Sequence, residues 1–265
     1  MDSRSIFRKL HETTFILPNP WDLGSAKILA TMGFPALATT SAGFANSIGR
    51  PDGGVTREEA VQHARDIGTA TSLPINADLE NGFGSDPKDA AETIFQALSA
   101  DLAGASIEDF GDGAIYPREL AVDRIRAAVE ANQSSESPLM LTARAENFIR
   151  GNPDLADSIE RLQAYQEAGA DVLYAPGLTS IDDIRSLVAA VDRPLNILLM
   201  PGGPTIPELF EAGATRVSTG SAISMAAQSA IIEAARELQG PGTQNFWISA
   251  LPNVGVINQA ISVEG

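Results

Sequence analysis

The chain has 265 residues, with 34 acidic against 18 basic side chains and a formal charge of −16 at neutral pH. A field of that sign repels nucleic acid and anionic lipid, so neither is an expected partner, and an anionic ligand must be met by a local cation. There are no cysteines and only two histidines, His11 and His63, which excludes disulfides, thiolate metal sites, cysteine nucleophiles and a histidine-rich zinc centre.

The 44% hydrophobic content suits a soluble protein with a sizeable core. No apolar run approaches the roughly 18 residues of a bilayer span. The first ten residues are polar and amphipathic without a signal-peptide core, so a cytoplasmic location is expected.

Along the chain one cycle repeats: a short Val/Ile/Leu/Ala run, a glycine or acidic break, then an amphipathic segment. The runs at 15–19, 36–40, 74–80, 104–109, 139–145, 171–175, 195–200 and 216–219 read as strands. Helical patterns follow at 23–32, 56–71, 87–100, 118–131, 155–168, 181–191, 205–212 and 222–238. Asp86-Pro87 reads as an N-cap with proline at the first helical position, and Asn152-Pro153 repeats the logic. Gly33, Gly169 and Gly213 stop helices just before a strand. His63, among charged neighbours, reads as an exposed surface residue.

Eight strand–helix units predict an α/β protein, a (β/α)8 barrel of the TIM type. A doubly wound open sheet is the alternative, because strand order is not encoded locally. No linker divides the chain, so 1–238 is expected to be one barrel domain. Residues 239–265 form an extension that packs on the barrel or on a neighbouring subunit.

In such a barrel the site forms at the C-terminal ends of the strands. Asp78 and Glu80 share one face of the third strand, and Glu108 ends the fourth. Gathered carboxylates repel unless a cation lies between them, and a hard divalent ion with oxygen ligands, Mg²⁺ or Mn²⁺, suits the set. Arg144 and Glu146 end the fifth strand, so the mouth is read as seven acidic residues with a single arginine as anion clamp. Asp22, Asp109 and Asp112 are either part of this ring or helix caps. The glycines of Gly82-Phe-Gly84 lack the spacing of a dinucleotide fingerprint, and no phosphate-cradling loop occurs elsewhere.

These residues resemble the isocitrate lyase/phosphoenolpyruvate mutase superfamily, in order and spacing, from the first strand through the eighth helix. The superfamily's paired acids followed by Gly-aromatic-Gly look like Asp78-Leu-Glu80-Asn-Gly-Phe-Gly84, with glutamate where aspartate is commoner as the second acid. Its Ile-Glu-Asp looks like Ile107-Glu108-Asp109, its Ala-Arg-Thr-Asp like Ala143-Arg144-Ala145-Glu146, and its Pro-Asp-Gly like Pro51-Asp52-Gly53. The resemblance implies Mg²⁺ held by Asp78, Glu80 and Glu108, in part through water. It implies a 2-oxo acid whose carboxylate meets Thr40, Ser41 and Ala42, with Arg144 neutralising an oxyanion or carboxylate and Asp52 close to the reacting group. Glu108, Arg144 and Asp52 are the catalytic candidates.

The departures are informative. Isocitrate and methylisocitrate lyases carry a Lys-Lys/Arg-Cys-Gly-His loop after the fourth strand, where this chain has Phe110-Gly-Asp-Gly-Ala-Ile-Tyr-Pro-Arg118. The lysine- and asparagine-bearing gating loop of the mutases and phosphonopyruvate hydrolases is also missing. What remains resembles the oxaloacetate-decarboxylase-like and uncharacterised branch. The expected function is therefore a Mg²⁺-dependent lyase acting on a small 2-oxo or 2-hydroxy dicarboxylate through an enolate. P–C bond chemistry on a phosphonate is the second enzymatic reading, and a non-catalytic 2-oxo acid binder is a reading of another class. Tyr116 is the one proton carrier in the short loop. The resemblance also implies a homotetramer.

Overall fold

Successive residues of a strand point to opposite faces, and that parity sorts this chain into a polar interior and an apolar shell. In the computed structural model, which describes residues 2–262, eight parallel strands form one sheet. They are β1 (Phe15–Leu17), β2 (Leu37–Ala38), β3 (Ile75–Asp78), β4 (Gly104–Glu108), β5 (Met140–Arg144), β6 (Val172–Tyr174), β7 (Leu195–Leu198) and β8 (Arg216–Ser218). Pairing runs from β2 through each successive strand to β8, which then pairs with β1. Across the remaining seam the Ala38 amide donates to the Pro18 carbonyl at 3.0 Å, and Asn19 Nδ2 donates to the Thr39 carbonyl at 2.8 Å. The sheet is therefore a nearly closed (β/α)8 barrel, not an open doubly wound sheet.

Parity is clearest in β5. Leu141 and Ala143 join the apolar layer between barrel and helices, whereas Met140 joins a separate interior cluster with Phe7, Phe15 and Leu17. Thr142 and Arg144 share the interior parity with Met140. The same alternation turns Asn76 and Asp78 of β3, Ser106 and Glu108 of β4, and Asn196 of β7 inward, while Ala77, Ile107 and Ile197 pack outward. The acidic strand ends thus point into the mouth because their neighbours belong to the shell.

Caps fix where the helices start. Asp22 accepts from the Ser25 amide at 2.7 Å, and Thr56 with Glu59 forms a capping box on Arg57–Thr71. Before Leu155–Glu167 the cap is Asp154, not Asn152, and Pro153 lies outside the helix. Four features go beyond the repeating pattern. Helix Ser3–Leu10 presents Phe7 and His11 to the barrel interior. Helix Ser41–Ser47 follows β2, and a hairpin of Phe110–Gly111 and Ala114–Ile115 follows β4. After Ala222–Gln239, helices Asn245–Ala250 and Val254–Ser262 follow, and the last packs against Leu23–Thr31 of the same chain. Residues 263–265 of the expected extension lie outside the described residues.

His63 is not an exposed surface residue. It shares a helix face with buried Ala60, Ala64 and Ile67, and its ring stacks on Phe44 with centroids 3.8 Å apart. Burial pushes its pKa down to about 4.

Two buried groups carry much of the polar interior. Asp109 is neither a cap nor part of the mouth. It accepts from the Glu146 amide at 2.8 Å, from Arg161 at 3.1 Å and from Tyr165 Oη at 2.6 Å, tying β4 and β5 to helix Leu155–Glu167. His11 sits against Phe7 and Phe15, with Nδ1 at 2.9 Å from the Phe7 carbonyl and Nε2 at 3.2 Å from Arg216 Nη1. A neutral ring with its proton on Nδ1 satisfies both contacts. Burial and then Arg216 push the His11 pKa down to about 3.

Asp109→Ala leaves Arg161 and the Tyr165 hydroxyl without their buried acceptor; a loss of about 3 kcal/mol or more is expected in urea unfolding. For His11 the unfolded chain binds a proton below pH 6.5 while the folded chain does not until about pH 3. Stability therefore falls as pH drops below 6.5, by about 2 kcal/mol at pH 5 from this group alone. His11→Gln, which cannot ionise, should flatten the decline of Tm between pH 6.5 and 5.

Candidate active site

The strand ends of β3, β4 and β5 are cross-linked by one guanidinium. Arg144 reaches Asp78 at 2.8 Å through Nη1, Glu108 at 3.0 Å through Nη2, and Glu146 at 2.9 Å and 3.0 Å through Nη2 and Nε. Its planar fork lies over the Tyr174 ring of β6 at 5.2 Å. Burial opposes the charge on Arg144, but Glu146, Glu108 and Asp78 outweigh it and raise its pKa. The register places Glu108 opposite Arg144, and Asp78 opposite Ser106, so the grouping follows from strand pairing.

A second arginine stands here that the sequence reading did not place. Arg150 lies four residues after Glu146 in the loop beyond β5, bonds Glu146 and Glu108 at 3.2 Å each, and covers the Phe110 ring at 3.9 Å. A basic side chain in a loop on the catalytic face was the available signal. The mouth is thus not a one-arginine site. Two of the acids weighed for the ring lie elsewhere, since Asp22 caps a helix and Asp109 is tied below, while Asp112, exposed in the hairpin turn, borders the outer cavity.

Glu80 is the odd carboxylate. The chain turns left-handed there, with φ 48°, so Glu80 leaves the strand just beyond Asp78. Its Oε1 is buried without a hydrogen-bond partner. Burial first, then Asp78 and Asp52, push its pKa up to about 7. Burial likewise raises Glu108, with Arg144 opposing and Glu146 and Asp78 adding to the rise.

When ionised, Asp78, Glu80, Glu108 and Glu146 carry four negative charges against two on Arg144 and Arg150, an excess of two. The oxygen-only donors, that excess and the orphaned Glu80 oxygen fit a hard divalent cation. Among the described residues, no three Asp, Glu or His side chains converge as a ready ligand set. A cation here would complete its shell with water or ligand oxygens, as Mg²⁺ commonly does.

The other candidates sit around the same opening. Thr40 caps helix Ser41–Ser47 and accepts from the Gly43 amide, and the Ser41 amide and Oγ both donate to Asp78 at 3.1 Å. Thr40, Ser41 and Ala42 line an inner cavity of about 200 Å³ with Asp78, Arg144, Tyr174 and Asn196. An outer polar cavity of about 730 Å³ adjoins it, lined by Glu80, Glu108, Phe110 and Arg57. Asp52 is exposed at the rim and borders both. Tyr116 is not part of the opening. Its hydroxyl accepts from Asn81 Nδ2 at 2.9 Å and its ring lies under Arg124, so it supports the loop after β3.

Known proteins are similar to this chain along most of its length. The sequence profile of the phosphoenolpyruvate phosphomutase family matches residues 7–239. A Burkholderia cenocepacia protein of provisional lyase/mutase assignment shares 46% identity and superposes with a TM-score of 0.95, covering 98% of this chain and 96% of that one. Oxaloacetate decarboxylase of Chromohalobacter salexigens is 30% identical over 89% of this chain and 85% of its own length. The crystal structure of a 2,3-dimethylmalate lyase, described as a PEP mutase/isocitrate lyase superfamily member, is 29% identical with a TM-score of 0.82, covering 92% of this chain and 89% of that one. The chain belongs to the phosphoenolpyruvate phosphomutase family and is an enzyme of the carbon–carbon lyase type found in the isocitrate lyase/phosphoenolpyruvate mutase superfamily.

Proposed function

We propose that this enzyme cleaves a carbon–carbon bond in a small 2-oxo dicarboxylate, with decarboxylation of an oxaloacetate-like acid as the concrete reaction. The observation that carries the reading is the Arg144 cluster beside the unpartnered Glu80 oxygen: two cationic forks and a buried carboxylate without a partner among the described residues, at one opening. Likeness to an oxaloacetate decarboxylase along most of both chains supports the substrate class. The hairpin at Phe110–Gly111 and Ala114–Ile115, with neither cysteine nor histidine, stands where the isocitrate-type lyases, by the resemblance, carry a cysteine- and histidine-bearing loop.

In this reading Asp78, Glu80 and Glu108 hold Mg²⁺, directly or through water. When bound, that ion supplies Lewis-acid stabilisation of the charge that develops on the 2-oxo oxygen. The substrate's C1 carboxylate faces the Ala42 amide and the Thr40 hydroxyl at the inner cavity, beside Ser41, whose amide and hydroxyl hold Asp78. Arg144 then faces the oxyanion, its fork already fixed by three carboxylates and Tyr174, so little reorganisation accompanies reaction. The C3–C4 bond breaks, its electron pair passes toward C2–C3 to give the enolate, and carbon dioxide leaves. A proton added at C3 completes pyruvate. Asp52, exposed at the rim and bordering both cavities, is placed to carry that proton. The acidic chain as a whole offers no other steering for an anion, which makes the local arginines the entry determinant. The exposed apolar side chains of the last helices, among them Ile231, Trp247 and Ile257, support association of copies of the chain into an oligomer.

Purified protein with Mg²⁺ should release pyruvate from oxaloacetate above the rate with Mg²⁺ alone, and neither phosphonopyruvate nor 2-methylisocitrate should be cleaved comparably. Arg144→Ala should lower kcat by about 10²–10³, the size of losing one charge-stabilising donor group. Cleavage of phosphonopyruvate in preference would move the enzyme to P–C chemistry; tight oxaloacetate binding without turnover would leave a binding protein. Separately, Mg²⁺ should raise Tm in the wild type and raise it less in Glu80→Gln. An equal rise in both would remove Glu80 from the cation site.

A further inference from the structure

The inner and outer cavities share four lining residues: Ser41, Asp52, Arg144 and Arg150. Asp52 repels an anion, and Ser41 is committed to Asp78. Arg144 has Nε, Nη1 and Nη2 all engaged by carboxylates. Arg150 differs. Its Nε is directed to Glu146 and its Nη2 to Glu108, but among the described residues no hydrogen bond engages Nη1. The side chain is one-third exposed, and the Phe110 ring beneath it holds the guanidinium plane in place. A cation with one free donor edge, pinned at its other edge, stands where a ligand seated in the inner cavity must pass outward.

We infer that Arg150 is the specificity-determining residue of this enzyme, its Nη1 edge receiving the distal carboxylate of the substrate as that group extends from the inner into the outer cavity. The inference rests on the 2-oxo acid reading of the site and adds to it a second anionic group and the residue that selects it. It also fixes where the effect should appear. In decarboxylation the charge of the distal carboxylate moves onto the oxo oxygen as the bond breaks, so a cation at that carboxylate favours bound substrate more than the transition state. Arg150 therefore governs selectivity and KM, and Arg144 governs turnover.

The test uses ligands that differ only in the distal carboxylate: pyruvate against oxaloacetate, with oxalate as a probe that has no distal group. Affinities are measured by calorimetry with Mg²⁺, and steady-state kinetics are followed wherever turnover occurs. In Arg150→Ala the preference for oxaloacetate over pyruvate should fall by ~10–100-fold, the size of one lost charge-assisted hydrogen bond, with oxalate affinity falling far less than oxaloacetate affinity. The loss should fall in KM, and Arg150→Lys should restore part of the preference because the charge returns without the fork. Equal weakening of oxalate, pyruvate and oxaloacetate would mean that Arg150 only braces Glu108 and Glu146, and would overturn the inference. An unchanged preference would overturn it as well. Both outcomes leave the decarboxylase reading standing if the wild type still turns over oxaloacetate. A wild type that binds no oxalate with Mg²⁺ would instead remove that reading, and the inference with it.

Discussion

The guanidinium of Arg144 closes the mouth of the barrel electrostatically. Three carboxylates from three segments converge on it: Asp78 at the end of β3, Glu108 at the end of β4 and Glu146 just past β5. Without it these acids would repel across distances of a few ångströms in a poorly solvated site. With it, they become a fixed acceptor array whose remaining negative charge is directed at one opening. A buried ion cluster of this kind is weak evidence for stability, because desolvation offsets much of the attraction. Its value here lies in geometry: the strand ends cannot drift apart without stranding a charge.

Beneath that layer the interior is held by neutral partners around a second arginine. Arg216 of β8 bonds Asn196, Thr142 and His11, with no carboxylate paired to it among the described residues, and burial pushes its pKa down to about 9. The contrast with Arg144 is instructive. At the mouth, cations are matched by excess acid and the balance is left open for a ligand. In the interior, polarity is closed by amide, hydroxyl and imidazole groups, and nothing is left over for chemistry except the support of the floor.

Much of this was legible in the sequence because barrel strands and their acidic ends are local signals. Each of the eight strands begins within one residue of its apolar run, and the strand ends brought Asp78, Glu108 and Arg144 to one mouth. Arg150 was not legible because it sits in a loop, where no period dictates direction. Its position comes from stacking on Phe110, forty residues away in sequence. His63 was misjudged because charged neighbours masked a helix face defined by Ala60, Ala64 and Ile67. Tyr116 has the chemistry of a proton carrier, but the hairpin tucks it behind Asn81, and a Cβ on Gly111 would collide with its hydroxyl. Loops place side chains by contacts that no local pattern records.

The left-handed backbone at Glu80 has a consequence of its own. Such a conformation costs a non-glycine residue on the order of 1 kcal/mol, and aspartate or asparagine tolerates it better than glutamate does. The chain keeps the longer side chain, with its carboxylate oxygen buried and unbonded. Reach has been favoured over backbone comfort at this position. One extra methylene carries the carboxylate farther across the opening, narrowing the space between β3 and the loop bearing Gly53, whose Cβ position lies 4.0 Å from Glu80 Oε2. Glu80 thereby trades backbone ease for span: the length of a single acid decides how far the β3 side of the opening reaches toward the loop opposite.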